Sequence, residues 1–96
     1  MNKQRVVVGV RFVPGSNVVD LVRWGELRTT HAQPVDWDKL STVSERAVLR
    51  KLAQGHCVLT LLHGGRLGPN LKLVKQPRLH IAMDDPTLTL QHLEAF

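Results

Sequence analysis

Cys57-Val58-Leu59-Thr60-Leu61-Leu62 is apolar at both parities over the length of a strand. A half-buried strand alternates, whereas a run apolar on both sides needs cover on both faces. In a chain of 96 residues with a single convincing helical pattern, one helix can cover only one of those faces. The other must be met either by the segment from Trp24 to Leu40 folding across it or by another subunit, because exposed apolar strand surface is a marker of association. A homo-oligomer through Val58 to Leu62 is therefore one expectation.

The helix lies just upstream. Thr42-Val43-Ser44-Glu45 fits a capping box, with the Thr hydroxyl accepting from the third amide and the Glu reaching back to the cap amide, and Gly55 supplies the left-handed stop. The helix is expected from about Val43 to Gln54. At 100° per residue Val48, Leu49, Leu52 and Ala53 form an apolar stripe, and Arg46, Arg50, Lys51 and Gln54 fall opposite.

The amino-terminal part reads as a hairpin. Val6, Val8, Val10 and Phe12 alternate with Arg5, Val7, Gly9 and Arg11; Pro14-Gly15-Ser16-Asn17 supplies the turn, and Val18 to Trp24 returns. Leu27 to His31 is read as a continuation after a kink at Gly25. Residues 32–40 read as a loop or short helical turn anchored by Trp37 and Leu40. Beyond the apolar strand, Gly64-Gly65-Arg66-Leu67-Gly68-Pro69-Asn70 reads as a flexible connection. Leu71 to Val74 and Leu79 to Met83 then form short strands split by Gln76-Pro77, and Thr87 to Leu90 forms a last one before the tail. Hairpin, helix, then meander make one domain of α+β class with a small, largely antiparallel sheet.

Charge is distributed unevenly along this framework. From Arg46 to Met83 there are seven Lys or Arg residues and no Asp or Glu, while the remainder holds six cations and eight acids. An acid-free basic stretch is the electrostatic signature of a surface that meets phosphates or an acidic partner. With Val6, Val8, Val10 and Phe12 facing the helix, strand alternation places Arg5, Arg11, Lys72, Arg78 and His80 on the opposite, open sheet face. Arg46, Arg50 and Lys51 would form a second basic surface on the helix, and Arg66 would stand at a loop tip. The sheet face is the expected binding surface, because three strands converge on it.

Nucleic acid bound there would be held by its phosphates. The basic stretch contains no aromatic residue, and Phe12, Trp24, Trp37 and Phe96 are the whole aromatic set, so stacking platforms for bases are missing from it. The alternative is a protein-interaction module, a small inhibitor or adaptor docking on an acidic or nucleic-acid-handling partner. A third reading is capture of a small anion such as a nucleotide by Gly64-Gly65-Arg66. It is weak, since a strand rather than a helix follows the glycines and the Gly-Lys-Ser/Thr ending is missing.

Catalysis and metal binding find little support. Asp36 with Asp38 and Asp84 with Asp85 are the acid clusters, and each has an explanation in loop or turn chemistry. No nucleophile–base pattern accompanies them. His56, Cys57 and His63 are the metal-ligand types that cluster, but on an extended strand Cys57 and His63 lie about 20 Å apart, too far to share one ion. Cys57 is taken as a buried strand residue, and His31, His80 and His92 as surface residues. The chain is expected to be no enzyme and to hold neither cofactor nor metal. The amino-terminal residues lack the apolar core of a signal peptide, no apolar run approaches the roughly 20 residues of a membrane span, and the lone cysteine suits a reducing compartment. A cytoplasmic location with no membrane partner follows as an expectation.

Overall fold

A computed structural model describes residues 4–16, 18–28, 35–62, 66–76, 78–85, 87–90 and 93–96. Its strands are β1 (Arg5–Phe12), β2 (Val19–Glu26), β3 (Ser41–Ser44), β4 (Val58–Leu61), β5 (Leu67–Val74), β6 (His80–Met83) and β7 (Glu94–Ala95), and helix α1 (Glu45–Ala53) connects β3 to β4. The strand order is β3-β2-β1-β4-β5-β6, with β7 pairing β1 off this path. The pairs β1/β2, β2/β3, β4/β5 and β5/β6 are antiparallel, and β1 runs parallel to β4 and to β7. Two antiparallel meanders thus meet along a parallel β1–β4 seam, giving a small α+β fold.

β1 spans the residues that alternation marks out, yet its faces are not those a regular strand would have. Val7 pairs with Trp24 and Gly9 with Arg23, so Val8 is an extra residue opposite β2. A one-residue bulge reverses the parity of everything beyond it. Val7 and Val10, three apart, therefore enter the same core beneath α1, while Val6 and Val8 enter a second cluster on the reverse face. The expected helix-facing set of Val6, Val8, Val10 and Phe12 is thus divided.

The larger core joins Val7, Val10, Val22 and Trp24 to Val48 and Leu49 of α1 and to Val58, Leu71, Ile81 and Met83. The smaller one packs Val35 against Val6, Val8 and Leu61, with Leu27, Leu40 and Leu59 half-buried around it. Successive residues of β4 enter opposite clusters, Val58 the first and Leu59 the second. Cover for its apolar run on the reverse face is supplied within the chain by Val35 and Leu40. Gly25 lets that segment close down: a Cβ there would stand 2.5 Å from Val35 Cγ2 and 2.9 Å from Leu40 Cδ2. Full burial of a valine such as Val35 contributes about 1.5–3 kcal/mol. Trp37, expected as an anchor, sits on the short 3-10 turn Trp37–Lys39 and is 49% exposed.

α1 starts later than the capping box suggests. Thr42 and Val43 belong to β3, and Ser44 is the N-cap, its Oγ accepting from the Ala47 amide at 3.4 Å. The Ser41–Ser44 segment extends as a third strand because β2 offers it a partner, with Trp24 to Leu21 pairing Ser41 to Ser44. The stop is as expected. Gly55 has φ +87°, its amide donates to Leu52 O at 3.0 Å, and His56 N donates to Lys51 O at 3.1 Å, the paired bonds of a Schellman ending. Val48 and Leu49 are buried, Leu52 is half-buried, and Ala53 is exposed.

Further departures follow from long-range pairing. Gly68-Pro69-Asn70 is part of β5, where Thr60 Oγ1 donates to Pro69 O at 2.8 Å. Thr87 to Leu90 is no strand; Asp85 accepts from the Thr87 amide and hydroxyl in a tight turn, and the last strand is Glu94–Ala95 instead. Cys57 precedes β4 and is exposed rather than buried. Gly64, Gly65, His31, His63 and His92 lie outside the described residues. No helix among the described residues is long and apolar enough to cross a membrane.

Candidate functional site

The five residues assigned to one open sheet face are not brought together. Arg5 shares the parity of Val7 and lies over the Trp24 ring, 5.3 Å from its centroid, on the helix side of the sheet. Arg11, beyond the bulge, takes the other face and is tied to Asp20 at 2.9 Å. Lys72 lies between Leu71 and Leu73, which both pack on the α1 side, so it projects to the reverse. His80 is on that reverse side too, and with Lys72, Phe12, Val74 and Ala82 it borders a shallow cavity of about 540 Å³. The His80 Nδ1 stands 2.6 Å from Arg78 O; since a carbonyl only accepts, Nδ1 carries the proton in this contact.

Arg78 goes the other way. It precedes β6, and its Nη1 donates to Glu45 Oε1 at 3.2 Å and to Leu79 O at 3.0 Å. Glu45, the first residue of α1, is 9% exposed, and its Oε2 accepts from the Ile81 amide at 3.3 Å. The acid expected to reach back to its own cap instead joins the helix start to the outer strand β6. Arg78 thereby lines, together with Arg46 and Arg50, a groove of about 410 Å³ that Leu49, Ala53, Leu73 and Leu79 also border.

Of the three cavities described, this groove has the largest positive balance. Arg46 and Arg50 are one helical step of i, i+4 apart, with Cβ atoms about 5–6 Å from each other. Both are exposed, and among the described residues neither is ion-paired. Three arginines against the single Glu45 leave the groove with a balance of two positive charges. Among the described residues Arg78 is held through Nη1 alone, and it stays 48% exposed, so part of its fork remains open to a ligand. Such planar forks bind carboxylate or phosphate oxygens in pairs. Lys51 is half-buried, and Arg66, exposed ahead of β5, borders neither cavity.

A third cavity, about 490 Å³, mixes Arg5, Arg28 and Lys39 with Glu26, Asp36 and Ser41, and Arg28 approaches Asp36 to 3.7 Å. Its three cations stand against two acids, a smaller positive balance than that of the groove. Among the described residues no three His, Cys, Asp or Glu side chains gather to hold a metal ion. Nothing in the local sequence announces the alliance of Arg78 with the helix; the one available signal is the acid-free stretch itself, whose Arg46, Arg50 and Arg78 converge from 33 residues of chain. No family model, curated protein or solved structure matches the chain.

Proposed function

We propose that this chain is a small, basic, non-enzymatic binding module of the cytoplasm that grips the phosphate backbone of nucleic acid. The observation carrying this reading is the groove in which Arg46, Arg50 and Arg78 stand together with two net positive charges. The contact surface is thus the α1–β6 groove in place of the sheet face expected from alternation. No aromatic side chain lines the groove, so its ligand is held through phosphates and not through stacked bases, with weak sequence preference.

Salt dependence tests this directly. Three phosphate contacts imply a slope of log K against log salt of about −2.7 for a duplex and about −2.1 for a single strand. Between roughly 50 and 200 mM salt the duplex affinity should fall about 40-fold. Fluorescence anisotropy on labelled duplex and single-stranded oligonucleotides measures it. Arg46→Ala with Arg50→Ala should reduce the duplex slope to about −0.9, while Arg11→Ala with Lys72→Ala should leave it unchanged. No binding at low salt, or a slope indifferent to Arg46 and Arg50, refutes the reading.

One observation favours a second partner class. Leu79 is 48% exposed on the groove, and an apolar floor rimmed by arginines also suits an acidic protein segment. Polyglutamate competing with the oligonucleotide through Arg46 and Arg50 would support that inhibitor or adaptor reading. Capture of a free nucleotide, with Arg66 as the contributing cation, is the third and weakest.

A further inference from the structure

The groove between α1 and β6 is as selective in what it lacks as in its charge. Besides the three arginines and Glu45 it is bordered by Leu49, Ala53, Leu73 and Leu79, and among the described residues no Ser, Thr, Asn, Gln or His lines it. Its apolar side is within reach of a ligand, since Leu79 is 48% exposed, Ala53 is exposed and Leu73 is half-buried. Arginines only donate. Glu45 is the one acceptor side chain, and both its oxygens are engaged, Oε1 by Arg78 and Oε2 by the Ile81 amide. Its side chain is 11% exposed. The Leu79 carbonyl is likewise taken by Arg78. The groove therefore offers donors to phosphate oxygens and no unengaged side-chain acceptor to a hydroxyl.

We propose that the groove selects DNA over RNA, an inference that rests on its reading as a phosphate-binding surface. The balance of two positive charges supplies the attraction for either polymer. The choice falls to the sugar, because the 2′ position is what distinguishes the two backbones. A strand whose phosphates meet Arg46, Arg50 and Arg78 brings the adjoining sugars against the apolar side of the groove. A deoxyribose 2′ carbon packs there at no polar cost. A ribose 2′ hydroxyl, which both donates and accepts, gives up water, finds the arginine donors committed to phosphate, and meets no acceptor for its proton. Burying a hydroxyl without a partner is unfavourable. Leu79 is the residue that decides, being the most exposed of the large apolar side chains on the groove.

Fluorescence anisotropy of the full chain with labelled single strands of about 12 nucleotides at about 50 mM salt tests this. Deoxyuridine and uridine homopolymers share a base and differ only at the 2′ position. The deoxyribose strand should bind about 5- to 30-fold tighter. A 2′-fluoro strand keeps the ribose shape without the hydroxyl proton, and it should bind within about two-fold of the deoxyribose strand. Leu79→Asn supplies a donor and an acceptor. It should bring the ribose strand to within about two-fold of the deoxyribose strand and leave the salt slope unchanged. Equal binding of the two parent strands, a 2′-fluoro strand that follows the ribose one, or a Leu79→Asn ratio equal to the parent's overturns the selectivity and leaves the phosphate reading standing. No binding of any strand at low salt overturns both. Circular dichroism checks that the variant folds; should it not, the 2′-fluoro comparison on the parent chain decides.

Discussion

Replacing Glu45 tests how the helix is fastened to the sheet. Its carboxylate does two jobs, accepting from the buried Ile81 amide at 3.3 Å and from Arg78 at 3.2 Å. Glu45→Ala leaves the amide of Ile81, a residue only 1% exposed, without its partner, at a cost of about 1–3 kcal/mol. The ion pair adds about 0.2–1 kcal/mol, kept small because Arg78 is half in solvent. Loss of an acid from the first helical turn costs about 0.3–1 kcal/mol more. The total, about 1.5–5 kcal/mol, is a large part of the 5–15 kcal/mol typical of a domain. Glu45→Gln keeps an oxygen facing Ile81 and loses only the charge, so it should cost about 1 kcal/mol. Urea unfolding followed by circular dichroism reads both, and the Ala midpoint should fall by on the order of 1 M. Binding should move the opposite way for Glu45→Gln, because the groove loses its one carboxylate: about two- to five-fold tighter for duplex at low salt. Equal midpoints for the Ala and Gln variants, or both within about 0.5 kcal/mol of the parent, would refute the fastening. Weaker nucleic-acid binding by a folded Gln variant would refute the electrostatic account of the groove.

Two other substitutions probe what lies outside the groove. Gly25→Ala should lift Val35 and Leu40 from the reverse face, lowering stability by about 1–3 kcal/mol and raising binding of an apolar dye; a variant as stable as the parent would mean that the cover tolerates a methyl group. The Asp85 carboxyl is held below its ordinary range, first by the Thr87 hydroxyl and then by the Thr87 amide. A lowered folded value stabilises the fold above the unfolded carboxylate range and loses that contribution as pH falls through the folded value. Thr87→Val should therefore raise the Asp85 midpoint in an NMR titration, and an unchanged midpoint would contradict the hydroxyl's role.

Much of the fold is legible where the governing interactions are local. β1 can be bounded from alternation and a Pro-Gly turn, and the helix stop at Gly55 from its left-handed requirement. What is not legible depends on distant partners. Thr42-Val43-Ser44-Glu45 satisfies the chemistry of a cap and of a strand equally, and β2, some twenty residues upstream, decides for the strand. Glu45 becomes buried only because Ile81 and Arg78 arrive from 33–36 positions away. The candidate site failed to appear on the open sheet face for one reason above others: alternation assumes a regular strand, and the extra residue at Val8 turns Arg5 and Arg11 to opposite sides. Alternation extended back from the strand gives Arg78 a place on the sheet face, but the residue precedes β6 and reaches to the helix start. β7 has two residues and no pattern of its own, and its place is set by the stretch of β1 that it pairs.

The parallel seam carries a consequence for how the chain finds this fold. β1–β2–β3 and β4–β5–β6 are each built from neighbours in sequence, so each can zip from a nearby turn. They join through Arg5↔Val58, Val6↔Leu59 and Val7↔Thr60, contacts separated by more than fifty residues. Closing a loop of that length is entropically slow but only weakly dependent on its exact size. α1 shortens the search, since an ordered helix already touching β2, β3 and β4 acts as a tether that holds one meander at high effective concentration beside the other. On this argument the seam closes after each meander has zipped, with only the β1–β7 pairing more distant in sequence, and it is the line along which the two meanders would part under load.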